Sequence, residues 1–276
     1  MAFLVFRLFS VLIVGILLSI LGFIIFNGIK VINWEFLTTA PKEGMTAGGI
    51  FPAIVGTFYL VIGSLIFAVP LGVMSAVYTI EYAGNGKIVR FIRMMTNNLA
   101  SIPSIVFGLF GMALFVNKLG FGDSILAGSL TLGLLTLPII IRTSEEALNA
   151  VPESYRNGSL ALGASKLQTI RKDVLPCALP SIVTGIILSV GRVSGETAPI
   201  LFTVAAYFLP SLPDSIFSQA MALPYHLYVL ATSGTDTEAS RPMAYGTALV
   251  LIGIVFLFNL IATVLRQRLN RKLKLH

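Results

Sequence analysis

Apolar residues gather in runs separated by short polar stretches, and six of these are long enough to cross a bilayer: roughly Leu8–Gly28, Ile50–Ile80, Leu99–Val116, Ser124–Ile141, Ser181–Tyr207 and Tyr245–Leu265. A helical crossing takes about 20 residues. The pattern predicts an all-α polytopic membrane protein, a bundle of six transmembrane helices. Within Ile50–Ile80 the residues Pro70 and Gly72 predict a kink or tilt, since that run is longer than a crossing requires. Arg7 ahead of the first run resembles the start of a signal peptide. No small-residue cleavage site follows it, so a retained first helix is expected.

Composition supports the membrane reading. Hydrophobic residues make up 56% of the chain, charged residues 11%, and the mean hydropathy is +0.90. So few charges cannot cover a soluble core of that apolarity. The net charge of +7 does not require nucleic acid, because Lys and Arg collect in the cytoplasmic loops of polytopic proteins. Here Arg7, the group Lys87, Arg90 and Arg93, the stretch from Arg142 to Lys172, and the tail from Arg266 to Lys274 would lie on one side. Only Lys30, Lys42, Lys118 and Arg241 would lie on the other. The positive-inside rule then places both termini in the cytoplasm. A single cysteine, Cys177, and two histidines distant in sequence give neither an internal disulfide nor a metal cluster. Glycines recur along the runs, among them Gly63, Gly72, Gly133, Gly185 and Gly191. They permit close helix approach, and packing explains most of them.

The segment Thr143–Leu175 is long for a loop in a bundle. After Pro152 it sets Tyr155, Leu160, Leu162, Leu167 and Ile170 among small and basic residues, a composition that suits a short helix pair on the membrane surface. Ala161, Gly163, Ala164 and Ser165 leave one surface nearly bare, so another protein's groove would approach the backbone closely. The competing reading is a peripheral helix drawn to anionic lipid by Arg156, Lys166, Arg171 and Lys172. Composition alone leaves both open. Gly158 and Gly163 have the spacing of the P-loop glycines, but Ala164 and Ser165 intervene before Lys166 and no strand precedes, so no nucleotide site follows.

Arg192 and Glu196 stand four apart inside the fifth run, where a helix would place them on one face. A charge at membrane depth costs about 2.5–3.5 kcal/mol on insertion scales and normally faces a bundle interior or a water-filled cavity. The pair is either an ion pair that pins two helices or part of a substrate path. Arginine's planar fork of donors matches phosphate or sulfate oxygens and keeps its proton. An ionised Glu196 would accept a hydrogen bond from protonated phosphate and repel sulfate. Pro199 is expected to break the helix just beyond.

L-A-L-G-A-S-K-L-Q-T-I-R-K-D-V-L-P from Leu160, followed by G-R-V-S-G-E-T-A-P-I-L-F-T from Gly191, resembles the membrane permeases of ABC-class phosphate importers. The E-T-A-P-I-L-F-T wording is closer to the PstA type than to PstC. The likeness extends to G-G-I-F-P-A-I-V-G-T-F-Y-L-V from Gly48, I-P-S-I-V-F-G-L-F-G from Ile102 and L-T-L-P-I-I-I-R-T-S-E-E-A-L from Leu135.

The resemblance implies a MetI-like bundle forming a single permease domain that catalyses no reaction itself. It implies a coupling loop over about 143–176 that docks a cytoplasmic ATPase through Leu160, Gly163, Ala164, Ser165 and Lys166, with the closing Leu175–Pro176. The E-A-A triplet that names this loop falls on Asn157, Gly158 and Ser159, a departure, and the usually apolar position two before Leu175 is Asp173. A PstC-like second permease, a PstB-like ATPase dimer holding ATP-Mg and a PstS-like external phosphate-binding protein are the implied partners, in the cytoplasmic membrane of a bacterium or archaeon. The chain itself is expected to hold no cofactor. Sulfate or molybdate transport, a phosphate-signalling scaffold and an ion-coupled carrier are the competing functions.

Overall fold

The computed structural model describes residues 2–84, 86–233 and 237–273. The chain opens with the long helix α1 (Ala2–Gly28), the short α2 (Trp34–Thr38) and two paired antiparallel strands, β1 (Pro41–Lys42) and β2 (Ala47–Gly48). Next come α3 (Phe51–Val77), α4 (Lys87–Ala100), α5 (Ser104–Gly111) and α6 (Ile125–Asn149). Two short helices, α7 (Glu153–Ala161) and α8 (Lys166–Thr169), precede α9 (Leu175–Gly195). The chain continues through α10 (Ala198–Leu201), α11 (Leu223–Thr232) and α12 (Thr237–Leu273). Among the described residues the fold is all-helical apart from the two short strands.

Five helices, Val5–Gly28, Phe51–Tyr82, Ile125–Asn149, Lys166–Gly195 and Glu238–Leu269, are long and apolar enough to cross a membrane. A sixth candidate is bent: Lys87–Ala100 meets Ser104–Lys118 at 102°. The apolar run read as starting at Leu99 therefore begins in one helix and ends in another. Pro103, extended at φ −56° and ψ 140°, makes the corner, because proline keeps the residue before it out of helical geometry.

The fifth run also ends earlier than its apolarity predicts. Its helix stops at Gly195, and Phe202–Tyr207 belong to a non-helical stretch. That stretch has polar work to do. The carbonyls of Thr203, Ser218 and Ile216 accept from the backbone N–H groups of Ser124, Ile125 and Leu126 at 2.9, 3.0 and 2.9 Å, filling donors that the start of α6 would otherwise leave unpaired. Ser124 caps the same helix end, its Oγ accepting from the Ala127 N–H at 3.2 Å.

The most buried of the long helices is α6, packed chiefly on α3 and then on α9. Small side chains set the spacing: Gly63 lies against Ser129, Gly133 against Phe67, and Gly185 of α9 against Thr143. By contrast α1 is exposed along its length and rests on α12, with Gly28 under the Tyr245 carbonyl. Gly185→Val would thrust its branched side chain into Thr143, and loss of the folded chain from detergent extracts, read by size-exclusion chromatography, is the expected result.

His226 on α11 is buried, its Nδ1 has no hydrogen-bond partner among the described residues, and burial pushes its pKa from 6.5 down to about 4. The fold therefore holds it neutral while the unfolded chain protonates it. Its contribution is complete above pH 6.5 and is lost as pH falls towards about 4. The fall in melting temperature between these pH values should be smaller in His226→Leu than in the parent chain.

Candidate functional site

Two groups of residues singled out by the sequence lie at or just beyond the opposite ends of one continuous helical segment, Lys166–Gly195. At its far end, α9 terminates with Gly195, and Glu196 is extended at φ −75° and ψ 125°. The cause is Pro199. In a continued helix its ring would press on the Gly195 carbonyl and its missing N–H would leave that carbonyl unpaired. The break comes ahead of Pro199 itself, which instead starts α10, where a helix has no use for the missing donor.

Arg192, on the last turn of α9, directs Nε to Glu196 Oε1 at 3.3 Å. The two meet, yet not as two residues of one helix, since Glu196 lies beyond the helix end. Their side chains are 36% and 17% exposed, so the carboxylate is the more enclosed partner. The terminal guanidinium nitrogens of Arg192 make no hydrogen bond among the described residues.

The two sides of this break differ. On one, Glu196 adjoins Thr57, Leu132, Ile200 and Pro224 around a cavity of about 10 Å³, room for no more than one water. Thr57 belongs to the same support: its Oγ1 accepts the Leu223 N–H at 2.9 Å, while Gly56 lets the Met221 carbonyl approach α3 closely. On the other side, a Cβ built on Gly191 or on Gly195 would meet nothing within 4 Å. These glycines open a face beside Arg192, whereas Gly185 on the same helix is a packing residue. The cavity is too small for a polyatomic anion, and among the described residues nothing closes the glycine face.

At the other end of the segment, α7 and α8 form the helix pair expected from composition, although α8 runs on into α9 and does not stand apart. Gly163 turns the chain at φ 86°, a left-handed conformation that disfavours other residues. Ser165 begins α8 with a capping box: its N–H donates to Gln168 Oε1 at 2.8 Å and its Oγ accepts the Gln168 N–H at 3.4 Å. Leu160, Gly163, Ser165 and Lys166 are exposed and Ala164 is partly so, alongside Leu162, which is 91% exposed. Leu175 and Pro176 are not part of this tip. Leu175 packs against the cluster of Ala76, Ala147, Leu148 and Val174 in the bundle, and Pro176 is half-buried at the start of α9.

The cations of this segment also divide. Arg171 and Lys172 are exposed, but Arg156 is turned inward to Glu81, with Nε and a terminal nitrogen 3.1 and 2.8 Å from Oε1, and Lys166 sits 5.1 Å from the centre of the Tyr82 ring. Of the four positive charges that would draw a peripheral helix to lipid, Arg156 thus faces protein, while Lys166 stays exposed beside the Tyr82 ring.

The model of the family described as "Binding-protein-dependent transport system inner membrane component" matches residues 68–275. The chain belongs to this family. It is therefore a multi-pass inner-membrane permease of an ABC transporter, and such importer permeases, which are not themselves catalytic, pair with an ATPase and a binding protein.

Among relatives, a probable ABC transporter permease, YqgI of Bacillus subtilis, is 37% identical over 97% of this chain and 95% of its own length. The phosphate transport system permease protein PstA 1 of Mycobacterium tuberculosis is 41% identical over 83% of this chain and 73% of its own. The permease also shares its fold with solved importers. A chain of the MetNI methionine transporter, inward facing, superposes with a TM-score of 0.62 at 21% identity, over 80% of this chain and 94% of that one. A bacterial ABC transporter involved in import of alginate gives 0.66 at 14%, over 96% of each chain.

The contrast between glycines separates packing from access in this permease. Gly191→Val is expected to leave the amount of folded protein within about twofold of wild type, because nothing stands where its side chain would go. Gly185→Val is not expected to fold; recovery after size-exclusion chromatography compares the two directly.

Proposed function

We propose that this permease is the PstA-type subunit of an ATP-driven phosphate importer. It forms half of the translocation path with a PstC-like permease, while a PstB-like ATPase dimer binds ATP-Mg and a PstS-like external protein delivers phosphate. The observation that carries this reading is the Arg192–Glu196 pair at a broken span, open on the Gly191 and Gly195 face and with the terminal nitrogens of Arg192 unpaired among the described residues. The phosphate permeases among its relatives support it independently. In this reading both termini and the α7–α8 tip are cytoplasmic, following the distribution of Lys and Arg.

The chemistry follows from the donors. A guanidinium whose Nε is held by Glu196 presents its remaining nitrogens as a fork to two phosphate oxygens. Glu196 fixes that fork and, when ionised, accepts a hydrogen bond donated by the hydroxyl of hydrogen phosphate. Sulfate carries no such proton near neutral pH and meets only repulsion there. Leu160, Gly163, Ala164, Ser165 and Lys166 dock the ATPase, and Leu175–Pro176 anchor the helix that leads from the docking tip into the membrane.

The decisive experiment is ATP-driven uptake of labelled phosphate by vesicles holding the whole complex, with ATP hydrolysis followed in parallel. Arg192→Ala should lower uptake about a hundredfold, the scale of losing charge-assisted hydrogen bonds to an anion, while hydrolysis continues. Unchanged uptake would place the substrate path elsewhere. Glu196→Gln should narrow the preference for phosphate over competing sulfate; an unaltered ratio would remove Glu196 from selectivity.

A further inference from the structure

The last turn of the second span holds both helices of the docking segment. There the helix widens: the Ala83 N–H donates to the Tyr78 carbonyl at 2.9 Å, one residue further back than in an α-helix. Such wide turns are rare and recur at functional sites. Consecutive residues of this turn point at different partners. Glu81 takes Arg156 of α7, and the ring of Tyr82 faces Lys166 at the start of α8.

The Arg156 guanidinium does more than neutralise Glu81. One terminal nitrogen donates to the Val151 carbonyl at 2.7 Å, and the other, besides its bond to Glu81, to the Leu148 carbonyl at 2.8 Å. Leu148 lies in the final turn of α6, and its carbonyl also accepts the Val151 N–H at 3.3 Å. One side chain of α7 therefore ties together the ends of α3 and α6, the two helices that form the main interface of the bundle. The Glu81 and Arg156 side chains are only 8% and 19% exposed, so the bonds are shielded from water, and removing one partner strands the other. The side chains of exposed Leu160 and Leu162, in contrast, make no such bond among the described residues.

We infer that the Glu81–Arg156 pair, reinforced by Tyr82 and Lys166, passes movement of the docking segment to α3 and α6, so that both act as positioning residues for transport. This rests on the reading that the α7–α8 tip docks an ATPase. Among the described residues the tip has three connections to the bundle: the short link of Ala150, Val151 and Pro152 from α6 into α7, the backbone from α8 into α9, which carries Arg192 in its last turn, and this cluster. Of these, the cluster alone joins the tip to the end of α3. With the cluster intact, displacing α7 must carry the ends of α3 and α6 together. Without it, α7 would pull on α6 through the short link alone while the end of α3 stayed behind.

The test compares Glu81→Gln and Arg156→Lys in the reconstituted complex, measuring phosphate imported per ATP hydrolysed and the ATPase subunit that co-purifies. Glu81→Gln is expected to retain the ATPase and hydrolysis while imported phosphate per ATP falls about tenfold, within the usual range of coupling energies. Arg156→Lys keeps the charge but loses the fork to the Leu148 and Val151 carbonyls, and should give a smaller fall. The double variant should be no worse than Glu81→Gln, as for residues acting as one unit. Phosphate per ATP equal to wild type in both single variants overturns the inference. So does joint loss of ATPase capture and hydrolysis in both, which would make the pair an assembly contact. Failure of the docking reading shows separately: Gly163→Leu, placed at the tip, would then leave ATPase capture unchanged.

Discussion

The closeness with which α6 can approach its neighbours is the constraint on which the remaining arrangement depends. In a bilayer, helices gain little from hiding apolar surface, because lipid tails are equally apolar, so association relies on tight van der Waals fit. Gly63, Gly72, Gly133 and Gly185 supply that fit at Ser129, Ile140, Phe67 and Thr143. Once α3, α6 and α9 are set this close, the ends of the helices are fixed as well. Thr57 then stands where it accepts the Leu223 N–H, and the first donors of α6 stand where the folded-back stretch supplies carbonyls.

That stretch explains how a broken helix persists in this setting. Irregular backbone survives at membrane depth only where protein or enclosed water satisfies it. After Glu196 the chain turns back over α6, and Ala206 and Ala220 bond to the Ala220 and Val204 carbonyls at 3.1 and 3.2 Å. The break is thus supported from behind by α3, α6 and α11, leaving Arg192 on the unobstructed side. A charged pair that would be costly against lipid is held at an edge where its remaining donors have somewhere to go.

Much of this was legible in the sequence, and the misses have physical causes. Apolar runs report what lipid demands of a side chain, so the long helices could be located. They do not report where backbone hydrogen bonding changes. Leu99 and Ala100 read as span because they are apolar, though they finish an amphipathic helix before the Pro103 corner. Phe202–Tyr207 read as span although they lie in the folded-back stretch. At its other end α6 runs to Asn149, past the apolar run, because Glu145 and Glu146 are acceptable in a helix that has left lipid. The four-residue spacing of Arg192 and Glu196 found a contact that local sequence encodes. Glu81 and Arg156 are 75 residues apart, and no local pattern joins them. The available signal was a lone acid at the end of an apolar run, followed by basic residues.

The unbroken course of Lys166–Gly195 has a mechanical meaning. Thirty residues of helix, widened over Ile170–Val174 and carrying Pro176 and Pro180, reach roughly 45 Å, so a tilt of about 5° around one end sweeps the other through about 4 Å. That displacement exceeds the length of a hydrogen bond. In the proposed reading, a modest lean imposed at Lys166 is therefore enough to make or break the contacts that Arg192 would offer an anion.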